Sequence, residues 1–220
     1  MKISAVIFDL DGVIVSTDEF HYQAWKQISD QEEIYFDRDI NERLRGVSRM
    51  ESLEIILSHS ERSYSETDKQ FLAQQKNENY CELLNKLSPN DILPGVINLL
   101  LSLKARDIKI AIGSSSKNTP YILKQIGIAS SFDAIADGNS ITNSKPDPEV
   151  FLLAAKKLGV APEECVVIED AQAGIDAAIS AGMKAVGVGT AASCVNAHIK
   201  LKDLSNINID QLIEVTEIRS

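Results

Sequence analysis

The sequence predicts an α/β fold: a doubly wound parallel sheet, a Rossmann-like core, with a small α-helical domain inserted after the first strand. Three observations carry this. Short, continuously apolar runs recur along the chain, helical patterns alternate with them, and one stretch, from residue 17 to about 87, holds helical patterns with no convincing strand.

Taken in order, AVIF (5–8) is the first apolar run. It lacks the alternation of a half-exposed strand, as expected for a strand covered on both faces. VIVST then leads out of it. The insert follows, with apolar stripes at Phe20, Ala24 and Ile28, at Leu53, Ile56 and Leu57, and at Tyr80, Leu83, Leu84 and Leu87. SPNDILPG (88–95), with two prolines and a glycine, marks the return to the sheet. Val96, Leu99, Leu100 and Leu103 recur at i, i+3, i+4 and i+7, as one face of a helix does. IKIAIG (108–113) is the next buried-strand run. A helix bearing Ile122, Leu123 and Ile126 follows, then one bearing Val150, Leu153, Ala154 and Leu158. CVVIE (165–169), a helix with Ile175, Ala178 and Ile179, and KAVGVG (184–189) complete the pattern. Strand–helix alternation of this kind builds a parallel sheet. The expected division is 1–16 with 88–220 for the core and 17–87 for the insert, the two links forming a hinge.

A chain of 220 residues with 44% hydrophobic content can bury a substantial core. Lys and Arg total 22 against 32 Asp and Glu, a net charge of −10. That argues against a nucleic-acid binder, which needs a basic face, and disfavours an anionic membrane surface. No apolar run approaches the ~18 residues of a membrane span, and no secretory signal is expected. Cys81, Cys165 and Cys194 have no metal-type spacing. Cys81 and Cys165 read as buried thiols, and a reducing cytoplasm fits. The GVG of 187–189 reads as a strand end, not a dinucleotide loop, and His59 and His198 have no chemical context.

In an open parallel sheet, ligands bind at the carboxyl ends of the strands. Four features fall there: Asp9 and Asp11 after the first strand, Ser114 in GSSSKN, Lys145 in NSKPDP after FDAIAD, and Glu169–Asp170 after CVVI. Asp9, Glu169 and Asp170 are hard oxygen donors suited to Mg²⁺. A divalent cation would remove the repulsion between neighbouring carboxylates, leaving Asp9 ionised and able to attack phosphorus. Asp11, two residues on, could exchange a proton with the leaving oxygen. Ser114 and Lys145 would meet the remaining phosphoryl charge. Each has an ordinary reading alone: a turn former for Asp11, a helix start for Glu169–Asp170, a loop lysine for Lys145, a cap for Ser114. Their joint occurrence at strand ends of one sheet argues for a site.

DLDGV, the serine after the next strand, the SKP lysine and IEDAQAGI together resemble the haloacid dehalogenase superfamily of phosphoryl-transfer enzymes. The resemblance spans nearly the whole chain. It implies Asp9 as nucleophile, Asp11 as general acid/base, and Mg²⁺ held by Asp9, the Asp11 carbonyl and Asp170 with Glu169 close by. It implies Ser114, Ser115 and Lys145 around the phosphoryl group, and an insert that acts as a cap.

The insert carries Thr17, His21 and Trp25, then Arg45, Gly46, Val47, Arg49 and Ser52, then Lys76. The core adds Ser116, Lys117 and Asn118. These are similar to the substrate-binding residues of the superfamily's glucose-phosphate mutases, which interconvert β-glucose 1-phosphate and glucose 6-phosphate through glucose 1,6-bisphosphate. Ser16 stands where relatives often have Asp, and Arg45 where a lysine is also found. Arg49, Lys117 and Asn118 suit a second phosphate, Arg as a bidentate donor. Arg49 and Lys76 also read as helix-surface charges, and His21 as packing or as an orienter of Asp11. The implied partner is a small sugar phosphate and the implied state a cytoplasmic monomer. A sugar-phosphate phosphatase would use the same core. A receiver module would share the acidic cluster but carries no cap.

Overall fold

The computed structural model describes residues 3–44, 48–207 and 209–214. Six strands form one sheet: β1 (Ala5–Phe8), β2 (Lys109–Gly113), β3 (Ala134–Ala136), β4 (Cys165–Glu169), β5 (Lys184–Val188) and β6 (Ile199–Leu201). The order is β3-β2-β1-β4-β5-β6 with every pairing parallel. The order reverses on either side of β1, which makes the carboxyl ends of β1 and β4 a switch point.

The predicted runs are all strands. β1 and β4 are buried along their whole length, which is why they read as unbroken apolar runs. Two strands were not among the four expected. β3 lies within FDAIAD, and β6 is the IKL segment. Each is three residues long at an edge of the sheet, too short and too exposed to leave a periodic signal.

Four helices serve the sheet as predicted: α5 (Val96–Lys104), α6 (Thr119–Gln125), α7 (Glu149–Leu158) and α8 (Gln172–Ser180). One stripe is corrected. Ile179 is exposed, and α8 turns Ile175, Ala177 and Ala178 inward. Small residues suit that face, because α7 and α8 share one cluster with β1 and β4 around Val150, Phe151, Ile175 and Val167. A short helix, α9 (Ile209–Glu214), follows β6.

The chain divides into two compact units, Met1–Ser16 with Ser88–Ser220, and Thr17–Leu87. The second holds α1 (Asp18–Gln31), α2 (Arg38–Glu42), α3 (Arg49–Leu57) and α4 (Glu66–Leu84). Its core gathers Trp25, Ile28, Phe36, Leu53, Ile56 and Leu72. Ser48 and Ser65 start α3 and α4 with reciprocal capping boxes to Glu51 and Asp68. In the sheet unit, the two connecting stretches pair: Val15 bridges Ile92, and Leu93 N donates to Ile14 O at 2.9 Å. Cys81 is only half-buried, against expectation, because α4 turns it off the apolar face that carries Leu72, Tyr80 and Leu84, whereas Cys165 and Cys194 are buried and all three are free thiols. Among the described residues, no helix is long and apolar enough to cross a membrane.

Candidate active site

Register builds the site at the switch point. Phe8 is level with Ile112 on one side and Ile168 on the other, so Asp9 comes level with Gly113 and Glu169. Asp9 N continues the ladder to Ile168 O at 2.9 Å. The chain then turns sharply. Gly12 N donates to Val15 O at 2.8 Å, and Ile14 N to Leu10 O at 2.9 Å. Gly12 sits at φ +79°, and a Cβ there would lie 2.1 Å from Asp170 Oδ2. Glycine is therefore required for backbone and for space. Gly174 is required for space alone, opposite Glu169, where a Cβ would fall 1.9 Å from Oε1.

Carboxylate oxygens of Asp9, Glu169 and Asp170 lie within 4.8 Å of one another. Asp9 and Glu169 are buried. Lys145 faces them: its Nζ is 2.5 Å from Asp9 Oδ1 and 3.5 Å from Glu169 Oε1, and 4.7 Å from the Phe151 ring centroid. Burial pushes the Glu169 carboxyl well above the usual carboxylate range, and the Asp9 charge adds to this against the opposing Lys145. Burial draws the Lys145 ammonium down, but the Asp9 and Glu169 charges outweigh it and leave its pKa raised. One ammonium against three carboxylates leaves a net negative pocket. Three hard oxygen donors with excess charge fit a divalent cation of the Mg²⁺ type.

Ser114 follows β2 and is buried; its N donates to Ala136 O at 3.1 Å and its Oγ accepts from Ser116 N at 3.2 Å. It does not cap α6, whose cap position is Asn118. Ser115 Oγ is buried without a hydrogen-bond partner among the described residues, an unmet donor that suits a ligand oxygen. Ser116 Oγ accepts from Asn118 N at 3.2 Å. Lys117 is exposed, and its carbonyl accepts from Asn139 Nδ2 at 2.9 Å. Asp11 is half-buried at the start of the Gly12 turn.

In the helical unit, His21, Lys76, Thr17 and Trp25 come together. Lys76 Nζ donates to His21 Nδ1 at 2.9 Å, which places the imidazole hydrogen on Nε2. Burial holds the His21 pKa well below the ordinary value, with the Lys76 and Arg49 charges adding. Lys76 is only 3% exposed, so it is no surface lysine. Its Nζ lies 5.0 Å from the Trp25 ring and 4.6 Å from the Tyr80 ring, an aromatic setting that favours a cation. Trp25 and Ser52 are buried, and Trp25 belongs to the apolar core. Arg49 donates to Asn77 Oδ1 at 2.9 Å. Arg45, Gly46 and Val47 lie outside the described residues. Tyr80, expected as an apolar stripe residue, also makes polar contacts. Its hydroxyl is 2.9 Å from Thr17 Oγ1 and its ring 4.1 Å from that of His21. The signal for it was its i+4 spacing from Lys76, which puts both on one helix face.

The model of the haloacid dehalogenase-like hydrolase family matches residues 3–182. The chain is 48% identical over 217 residues to β-phosphoglucomutase of Bacillus subtilis (strain 168), covering 98% of this chain and 96% of that protein. It is 32% identical over 187 residues to the phosphorylated carbohydrates phosphatase of Thermotoga maritima, covering 84% of each. The crystal structure of β-phosphoglucomutase from Clostridium difficile superposes with a TM-score of 0.89 at 43% identity, covering 98% of this chain and 97% of that one. On family model, sequence and fold alike, the chain belongs to the haloacid dehalogenase-like hydrolase family, in its β-phosphoglucomutase branch.

Proposed function

We propose that the protein interconverts β-D-glucose 1-phosphate and glucose 6-phosphate through an aspartyl-phosphate enzyme and β-glucose 1,6-bisphosphate. The observation that carries phosphoryl transfer is the Lys145–Asp9 pair set within a three-carboxylate cluster whose Asp9 and Glu169 are buried. The higher identity to the mutase, over nearly the whole chain, favours that reaction over hydrolysis.

Asp9 is the nucleophile. In the phosphorylated enzyme, the 6-hydroxyl of glucose 1-phosphate attacks phosphorus while Asp11 accepts its proton, and the bond to Asp9 breaks. The bisphosphate turns end for end. Asp9 then attacks the 1-phosphoryl group, the bond from phosphorus to the C1 oxygen breaks, and Asp11 returns the proton to that oxygen. Lys145, Ser114 and Ser115 meet the charge on the transferring oxygens. Asp9, Glu169 and Asp170, with the Asp11 carbonyl, would hold Mg²⁺, which when bound draws charge from the phosphoryl oxygens. Arg49, Lys117 and Asn118 serve the distal phosphate, and Arg45, Gly46, Val47 and Ser116 are substrate-binding residues on the resemblance alone. Thr17, His21 and Lys76 line the helical unit's side of the sugar site, and Trp25 and Ser52 shape its interior. The helical unit acts as a cap that excludes water from the aspartyl phosphate. Free thiols suit a reducing compartment, and we place the enzyme in the cytoplasm as a monomer.

The test is a coupled assay on β-glucose 1-phosphate primed with glucose 1,6-bisphosphate. Glucose 6-phosphate should form well ahead of free phosphate, and Asp9→Asn should form neither it nor an acyl phosphate. Dominant release of free phosphate would assign a sugar-phosphate phosphatase instead.

A further inference from the structure

Lys145 sits on the long connection between β3 and α7. Its neighbours Thr142, Asn143 and Ser144 are exposed, so packing does not hold these three residues, and the last apolar anchor before them is Ile141. Yet Lys145 is turned inward, its side chain only 10% exposed. Something other than apolar burial must set the backbone from which it reaches Asp9.

One carboxylate ties the two ends of this stretch together. Glu149, the first residue of α7, accepts from Thr142 N through Oε1 at 2.9 Å and from Asn143 N through Oε2 at 2.7 Å. The two bonds close a ring of chain from 142 to 149 with Lys145 at its middle. Inside the ring, Asp147 N donates to Ser144 O at 3.1 Å, and Asp147 Oδ1 accepts from Glu149 N at 2.9 Å. α7 itself is anchored by Phe151, fully buried and under the Lys145 ammonium. The helix is therefore the fixed frame and Glu149 ties the loop to it. The Asn143 and Thr142 amides hold the Glu149 carboxyl below the usual range, in keeping with charge-assisted bonds.

We infer that Glu149 is a positioning residue for phosphoryl transfer: by clamping the Thr142 and Asn143 amides it sets the reach of Lys145 to Asp9. This rests on the reading of Lys145 as the cation that meets phosphoryl charge. A carboxylate is needed because both bonds require acceptors. A glutamine in its place presents one oxygen and one NH₂ group, and the NH₂ would face an amide hydrogen. The loop would then lose one tie, and Lys145 would sample positions off the line to Asp9. Displacements near 1 Å at a reacting centre cost rate rather than binding.

The experiment is a double-mutant cycle in the coupled mutase assay, with Glu149→Gln, Lys145→Ala and the pair, each checked by thermal melting. Glu149→Gln should lower kcat ~10- to 100-fold. In the Lys145→Ala background the same change should cost no more than about twofold, because the group it positions is gone. An equal loss in both backgrounds, or no loss in the wild type, overturns the inference while leaving Lys145 its role. If Lys145→Ala itself keeps full kcat, the reading of the site falls and the inference with it. A purely structural Glu149 would lower the melting temperature and cost the same with or without Lys145. Should Glu149→Gln fold poorly, Glu149→Asp, one methylene short of both amides, replaces it with the same required dependence on Lys145.

Discussion

Lys145 Nζ stands 2.5 Å from Asp9 Oδ1 and 3.5 Å from Glu169 Oε1, one ammonium shared by two buried carboxylates. Removing it strands both. Lys145→Met should lower stability by ~3–5 kcal/mol in EDTA, the usual cost of a buried charge losing its partner. Millimolar Mg²⁺ should restore much of that by supplying counter-charge, so the rise in Tm on adding Mg²⁺ should be larger in the variant than in the wild type. Equal rises would mean that lysine and metal do not share the same carboxylates. kcat should fall at least ~10²-fold.

Gly12 is tied to the metal site by space. Gly12→Ala forces a Cβ against Asp170 Oδ2 and keeps a side chain at φ +79°. The backbone strain should cost ~1–2 kcal/mol. The displaced Asp170 should weaken the Mg²⁺ requirement curve, raising the half-saturating concentration ~10-fold or more. Activity titrated against Mg²⁺ measures this, and an unchanged curve would refute it.

His21 should make stability fall with acid. Its folded pKa is depressed by burial and by Lys76 and Arg49. The unfolded chain takes up the proton near pH 6.5, while the folded one refuses it. Stability is therefore full above about pH 6.5 and declines below it, by up to ~1.4 kcal/mol per pH unit, until the folded group also titrates. His198, lowered mainly by burial, contributes with the same sign. Urea unfolding between pH 7.5 and 5.5 should show a shallower decline for His21→Gln than for the wild type. Parallel curves would contradict a neutral buried imidazole.

Ser65 starts the helix that carries Lys76 and Tyr80. Its Oγ accepts from Asp68 N at 3.2 Å, and Asp68 Oδ2 accepts from Ser65 N at 2.9 Å. Ser65→Ala should cost ~1 kcal/mol and speed hydrogen exchange in the first turn of α4. kcat should stay within about twofold, since the cap touches none of the proposed substrate-binding residues. A large fall in kcat without a fall in stability would mean that the first turn of α4 has a further role.

The apolar runs that became β1, β2, β4 and β5 were legible because strands buried on both faces leave no polar positions. β3 and β6 were not, since a three-residue edge strand is made by its neighbour's open hydrogen bonds rather than by its own side chains. Cys81 and Ile179 were misplaced for a related reason: spacing gives a helix its faces, but the facing surface chooses how wide the buried stripe is.

Asp9, Lys145, Glu169 and Asp170, which the structure brings together, were legible as candidates in the chain itself, because parallel strands send their carboxyl ends to one edge; Asp11 and Ser114 were candidates on the same ground. Distances could not be read. That Lys145 meets Asp9, that Gly12 makes room for Asp170, that Lys76 is buried against His21, and that Glu149 ties down the Lys145 loop were decided by tertiary structure. Each is a contact between residues remote in sequence or across an irregular loop, where no backbone period relates one side chain to the other and only the packed fold sets their separation.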